Sequence, residues 1–269
     1  MSDVDSLLID RQGPTVILTM NRVERRNALS LDMVVRMADA WEMVDADDSI
    51  RSVILTGAGG SYCVGGDLDA GWMAGNRSAE PSPNERRVIE DPALIGRGLL
   101  LTQWLRTPLI AVVNGDCLGG GCEMLQQTDI RIAEEQARFG LPEARLGFIA
   151  GAGSTMRLKR QIPYAVAMEM LLTGRVLDAD EALRWGLVTH VVPTGAGLAR
   201  GREIADVIAA NSPLSVAASK ASVIETGWLP EEEARAIENS YSARVIRSND
   251  AKEGLKAFAE KRPPEFTGT

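Results

Sequence analysis

The segment Leu109 to Glu143, LIAVVNGDCLGGGCEMLQQTDIRIAEEQARFGLPE, constrains the fold more than any other stretch of the chain. Leu109 to Val113 is an apolar, largely β-branched run, too short for a helix, and this predicts a buried strand. A turn follows at Asn114-Gly115. Three consecutive glycines, Gly119, Gly120 and Gly121, then lead into Cys122-Glu123-Met124-Leu125, where good helix formers take over. Glycines ahead of a helix let the backbone come close to a ligand, while the free N–H groups and the positive dipole end favour a negatively charged atom. The pattern therefore predicts a strand, a glycine turn and a helix start suited to an oxyanion. Glu123 falls in the first helical turn, and a second acid, Glu143, follows Pro142.

With 269 residues, 45% hydrophobic and 25% charged, the chain has material for one large globular domain or a domain with an appendage. A net charge of −8 argues against nucleic acid or an anionic membrane as the main partner, because both require a basic face. A local basic patch is still enough to hold a phosphorylated ligand. No run approaches the roughly 20 apolar residues that span a bilayer, and the start, Met1-Ser2-Asp3-Val4-Asp5, is acidic where a signal peptide would be basic. A cytoplasmic location is the expectation. The three cysteines, Cys63, Cys117 and Cys122, form no CxxC pattern, and His190 is the single histidine, which leaves too few soft ligands for zinc. Neither a metal nor a disulfide is expected.

Short apolar runs alternate with helical patterns, the mark of an α/β layering. Thr15 to Met20 and Ser52 to Thr56 read as strands, separated by an amphipathic helix from about Leu31 to Val44 with Ser30 as its N-cap. Gly71 to Asp91 turns polar and contains Pro81 and Pro83, so it reads as an excursion over a site. Leu94 to Leu105 recovers helical spacing, and Ile130 to Ala133 is a further strand. Leu146 to Gly153 is loop-like, Tyr164 to Leu172 and Asp180 to Leu187 are helical, and Thr189 to Val192 is a strand ahead of Pro193. Four helices then follow in succession: Leu198 to Asn211, Leu214 to Thr226, Pro230 to Arg247 and Ala251 to Lys261. The division predicted is a catalytic core over 1–195 and a helical region over 196–269, which commonly packs on a partner or on the main domain.

The glycine triplet taken alone is equally a tight helix–strand contact or a ligand loop. A second glycine-flanked segment, Val64-Gly65-Gly66-Asp67, also follows a strand and a loop, so two backbone donors have the means to converge on one carbonyl oxygen. Removing one such donor typically lowers a rate by ~10²–10³. Glu123 alone reads as a helix N-terminal acid placed for the dipole, and Glu143 alone as a solvated acid after a proline. Together beside an oxyanion site, they are a pair able to hold a water or a proton between them, with environments that separate their pKa values. His190 ends an apolar strand and reads as structural. GAGGSY and GAGSTM lack the last glycine of GxGxxG, and no GxSxG or Walker sequence is present.

ERRNALS (Glu24 to Ser30), LTGAGGSYCVGGDL (Leu55 to Leu68), NGDCLGGGCE (Asn114 to Glu123), FGLPEARLGFIAGAG (Phe139 to Gly153) and EGLKAFAEKRPPEF (Glu253 to Phe266) together resemble the crotonase superfamily, and most closely enoyl-CoA hydratase. The resemblance runs in order along nearly the whole chain. It implies a crotonase-like α/β fold, a spiral of ββα units with a C-terminal helical trimerisation region, assembled as a homotrimer or dimer of trimers and binding acyl-CoA thioesters. It places the two oxyanion-hole amides on Val64 and Gly120, with Val64, Gly65, Gly66, Asp67 and Leu68 along the CoA. Ala28, with neighbouring Arg25 or Arg26, falls at the nucleotide end. Glu143 is implied to handle the proton at the α-carbon, and Glu123 to orient and activate the water added at the β-carbon, with the Gly151 amide helping to hold that water. The implied reaction is reversible hydration of a 2-enoyl-CoA to a 3-hydroxyacyl-CoA, with acyl-CoA as substrate and no cofactor. The alternatives are an isomerase or a dehydratase of a polar acyl-CoA, and, in a different class, a non-catalytic acyl-CoA binder.

The chain departs from the family pattern at three places. Val64 replaces a smaller residue at the first oxyanion position, Ala150 stands where proline is usual, and Ser154 stands where glycine is common. The last two bear on the water site, and the length of the Gly71 to Asp91 excursion bears on the acyl pocket.

Overall fold

The computed structural model describes residues 5–69 and 80–269. Its strands, in chain order, are β1 (Leu7–Gln12), β2 (Thr15–Met20), β3 (Ser52–Gly57), β4 (Ser61–Cys63), β5 (Leu109–Val113), β6 (Asp116–Leu118), β7 (Ile130–Glu134), β8 (Arg138–Gly140), β9 (Val176–Asp178) and β10 (His190–Val192). Two sheets result, one ordered β1-β2-β3-β5-β7-β10 and a smaller one ordered β4-β6-β8-β9. The large sheet is parallel from β2 to β10, with β1 antiparallel at its edge. Three times the chain leaves a strand of the large sheet and enters the small one: β3 to β4, β5 to β6 and β7 to β8. The predicted ββα repeat is this alternation.

The helices are α1 (Leu31–Ala46), α2 (Pro83–Glu90), α3 (Ala93–Gly98), α4 (Gly120–Leu125), α5 (Ser154–Gln161), α6 (Tyr164–Thr173), α7 (Ala179–Arg184), α8 (Gly197–Ala210), α9 (Pro213–Thr226), α10 (Glu231–Ile246) and α11 (Asn249–Glu260). The Ser30 side chain accepts a hydrogen bond from the Met33 amide and caps α1. Successive strand residues point to opposite faces of the large sheet. Val16, Leu18, Val53, Leu55, Leu109, Ala111 and Val113 therefore join the core that holds Met33, Met37 and Trp41 of α1. Ile17, Ile54, Ile110, Val112 and Ile132 face the other way, onto Ala205, Leu198, Ile204 and Ile208 of α8. Burial on both faces is why these strands read as unbroken apolar runs. The expected boundary at 195/196 thus falls just ahead of a helix that covers the core sheet.

The structure corrects two expectations. Residues 71–79 of the polar excursion lie outside the described residues. The rest is more ordered than its composition indicates: Ser82 and Glu85 form a capping box, and Val88 of α2 is buried against Leu31, Val35 and Ala38 of α1. The helix expected over Leu94 to Leu105 stops at Gly98, where the Trp41 indole donates to the Gly98 carbonyl at 2.9 Å. Leu99, Leu100 and Leu105 enter the core as irregular chain, with Leu100 at φ 55°. Their apolar spacing records burial there, not a helical face.

Beyond α8, the helices α9 and α10 contain no buried residues. Val223, Trp228, Ile246, Leu255 and Phe258 are exposed in this region. Asp250 ties the tail back, accepting from the Ser212 hydroxyl at 2.6 Å and from the amides of Thr267 and Gly268. No single helix among the described residues is long and apolar enough to cross a membrane; α8 and α9 reach that length only together, bent by 108°.

Candidate active site

The small sheet brings the two glycine segments together. Strand β4 pairs in parallel with β6, Ser61 opposite Asp116 and Cys63 opposite Cys117, so the chain leaves both strands side by side. A β-carbon on Gly65 would lie 3.1 Å from the Gly120 nitrogen, and one on Gly120 would lie 3.6 Å from the Gly66 nitrogen. On Gly121 it would strike the Cys63 carbonyl oxygen at 2.4 Å, so only glycine lets α4 start against the end of β4. The glycine triplet is therefore the tight contact, one of the two readings that its sequence left open, and it sets the Gly120 amide beside the Val64-to-Gly66 segment. Among the described residues, neither the Val64 amide nor the Gly120 amide donates to a backbone or side-chain acceptor. Unpaired backbone donors are rare unless something else takes the bond.

The two predicted acids meet here. Glu123, on α4, is buried, and its Oε1 accepts from the Ser154 amide at the start of α5, 3.2 Å away. Burial pushes its pKa up to about 7. Hydrogen bonds from Ser154 and the Ala152 amide pull against that, and the Glu143 carboxylate adds to it. Glu143 sits in a short 3₁₀ segment, Pro142–Leu146, with its Oε1 3.2 Å from where a β-carbon on Gly119 would be. Its Oε2 is buried with no hydrogen-bond partner, and burial raises its pKa too. The pair is thus unequal: one carboxyl is held by donors, while one oxygen of the other has none.

The candidate CoA-contacting residues form the wall beside this site. The Leu29 amide donates to the Gly65 carbonyl at 2.8 Å, and the Asp67 amide to the Leu29 carbonyl at 2.9 Å, so Ala28 and the Val64-to-Leu68 segment form one ledge. The Asp67 carboxylate is buried in ion pairs with Arg25 at 2.7 Å and Arg22 at 2.9 Å. It therefore organises the ledge from inside. Arg26 is paired with Asp116, which also holds Arg138 at 2.8 Å, and Leu68 is exposed. Gly151 lies in the turn ahead of α5, but the amides that meet Glu123 are those of Ala152 and Ser154.

Sequence reading missed Arg22 and Asn27, whose roles appear only in three dimensions. The buried Asn27 side chain donates to the carbonyls of Ala58 and Ser61 and accepts from the Arg22 amide. It also missed Gln126, which donates to the Ser154 hydroxyl. His190 pairs with Ile132 in the large sheet. The three cysteines are free and buried, and among the described residues no group of three or more His, Cys, Asp or Glu side chains is placed to hold a metal.

The chain matches the family model described as enoyl-CoA hydratase/isomerase over residues 11–269. It is 48% identical over 261 residues to the Mycobacterium tuberculosis protein named enoyl-CoA hydratase EchA19, covering 96% of this chain and 95% of that one. It is 37% identical over 255 residues to the (E)-benzylidenesuccinyl-CoA hydratase of Thauera aromatica, covering 93% of this chain and 94% of that one. The solved structure of a Mycobacterium tuberculosis enoyl-CoA hydratase superposes with a TM-score of 0.88 at 36% identity, over 99% of this chain and all of that one, 100%.

Proposed function

The chain belongs to the enoyl-CoA hydratase/isomerase family, and from that premise we propose that it adds water reversibly to a 2-enoyl-CoA to give a 3-hydroxyacyl-CoA. As an enzyme of the hydratase type, it has one central electrostatic problem, which is negative charge on the thioester oxygen as the enolate develops. The amides of Val64 and Gly120 supply two donors that no group among the described residues claims. Donors already in place cost no reorganisation when the charge appears.

Glu123 takes a proton from water as its oxygen bonds to the β-carbon, and Glu143 delivers a proton to the α-carbon. Two carboxyls sharing one proton between them suit this exchange, and help of this kind is worth ~10²–10⁴ in rate. The amides and acids do all of this chemistry without a cofactor. Arg25 and Arg26, both partly exposed at the ledge, face the phosphate end of the CoA, and Gly65, Gly66, Asp67 and Leu68 run beside its pantetheine arm.

The observation that carries the proposal is the contact of Glu143 with Gly119, which sets an acid with an unpartnered oxygen next to an unclaimed amide. Glu143→Gln should abolish turnover, read as loss of the conjugated enoyl absorbance, while CoA-thioester binding stays nearly intact. Unchanged turnover would remove Glu143 from its role. Migration of the double bond in place of hydration, on defined thioesters, would make the enzyme an isomerase.

The exposed Val223, Trp228, Ile246, Leu255 and Phe258 of the C-terminal helices support assembly as a homotrimer or a dimer of trimers. Sedimentation of the wild-type chain tests that.

A further inference from the structure

Ser154 stands at the first position of α5, fully buried. Its hydroxyl lies between two other buried polar side chains. On one side, the Gln126 amide nitrogen donates to Ser154 Oγ at 2.7 Å and to the Cys122 carbonyl at 3.1 Å. The Cys122 carbonyl only accepts, which identifies the Gln126 atom facing it as the nitrogen, so Ser154 Oγ is an acceptor in that bond. On the other side lies Glu123, whose Oε1 accepts from the Ser154 amide at 3.2 Å and whose pKa the neighbouring Ser154 side chain lowers. Among the hydrogen bonds of the described residues the hydroxyl proton meets no acceptor, and the Glu123 carboxylate bound to the same residue's amide is the acceptor at hand.

We propose that Ser154 is a positioning residue for hydration: with its lone pair engaged by Gln126, its hydroxyl proton is directed onto the Glu123 carboxylate, which it orients toward the water. The inference rests on the reading of Glu123 as the group that activates water. A hydrogen bond to the ionised form of a carboxyl favours that form. The hydroxyl therefore keeps Glu123 available as a base against the burial and the Glu143 charge that both work the other way. The other charged group facing Glu123 is Arg157 of α5, which is half-buried and, among the described residues, donates to the carbonyls of Ala152 and Leu101 and lies over the Trp104 ring. Glycine at position 154 would keep the amide bond to Glu123 and lose the hydroxyl.

The test is the pH dependence of kcat and KM on a short 2-enoyl-CoA for wild type, Ser154→Ala, Ser154→Gly, Gln126→Leu, the Ser154→Ala/Gln126→Leu pair and Glu123→Gln, with thermal unfolding of each. Losing the hydroxyl should move the acid limb of kcat to higher pH by about half a unit or more, with KM changed less than twofold. Ser154→Ala and Ser154→Gly should agree. Gln126→Leu should shift the limb in the same direction alone but add nothing to Ser154→Ala, because its effect passes through the hydroxyl. A folded Ser154 variant with the wild-type limb, or additive shifts in the pair, overturns the proposal while leaving Glu123 in its role if Glu123→Gln is inactive. Full activity in Glu123→Gln overturns the assignment of Glu123 and this inference with it.

Discussion

Glu143 Oε1 lies 3.2 Å from the position that a β-carbon on Gly119 would occupy. The backbone at Gly119 is also in the left-handed half of conformational space, φ 51° and ψ −131°, where other residues are strained. Gly119→Ala should therefore lower stability by about 1–3 kcal/mol and displace the acid as well. Thermal unfolding with steady-state kinetics checks this: kcat should fall at least tenfold with a smaller change in KM, since a misplacement on the ångström scale is enough for such a loss.

The acidity of Glu123 predicts a stability effect of definite sign. Its folded-state pKa of about 7 stands above the ordinary 4.5 because burial disfavours the charged form. The neutral acid therefore fits the fold: its contribution is fully present below pH 4.5 and is lost as pH rises through about 7. Glu123→Gln, always neutral, should match wild type in unfolding temperature at low pH and exceed it by an equivalent of about 2–3 kcal/mol at pH 8. Unfolding scans of both proteins across that range decide it, and a constant difference would refute the burial account.

Asp67 has the opposite sign. Burial alone would raise its pKa, but hydrogen bonds and ion pairs from Arg25 and Arg22 outweigh that and hold it below the usual carboxylate range. Its contribution is present above the unfolded-state pKa and disappears as pH falls through the lower folded one. Asp67→Ala leaves Arg25 with only the exposed Asp69 and Arg22 with only the Ala28 carbonyl beside the ledge. With Arg25 partly in solvent, the cost should be about 1–3 kcal/mol, below that of breaking a fully buried pair. KM for an acyl-CoA should rise more than kcat falls, measurable on one thioester.

Asp250 is expected to hold the C-terminal tail. Burial works against its ionisation, but donors from Ser212, Thr267 and Gly268 prevail and lower its pKa. Asp250→Ala should destabilise the chain by about 1–3 kcal/mol through the amides it leaves unmet. Hydrogen exchange should show the loss over residues 249–269 first, with kcat per folded protein unchanged.

Much of the large sheet was legible because its strands are buried on both faces. Ser52–Gly57 and Leu109–Val113 have no polar side to confuse with a helix, and Ser30 announced α1 through a local hydrogen bond. The small sheet was not legible. Ser61–Cys63, Asp116–Leu118 and Arg138–Gly140 are three residues each, too short to carry a period, and they are strands only because they pair with one another. Residues 83–90 read as polar excursion because a single buried residue, Val88, docks their helix.

The amino-acid order by itself determined which groups were available: glycines where backbones must touch, two glutamates, and apolar runs long enough to bury a sheet. Those are local properties, set by propensity and by the chemistry of each side chain. Only the tertiary structure decided their relations. Parallel pairing of β4 with β6 put the Val64 and Gly120 segments side by side, and the start of α5 brought Ser154 against Glu123 from far along the chain. A pKa, an unclaimed amide or a shared proton depends on distance and on exclusion of water, and neither exists until the chain has folded.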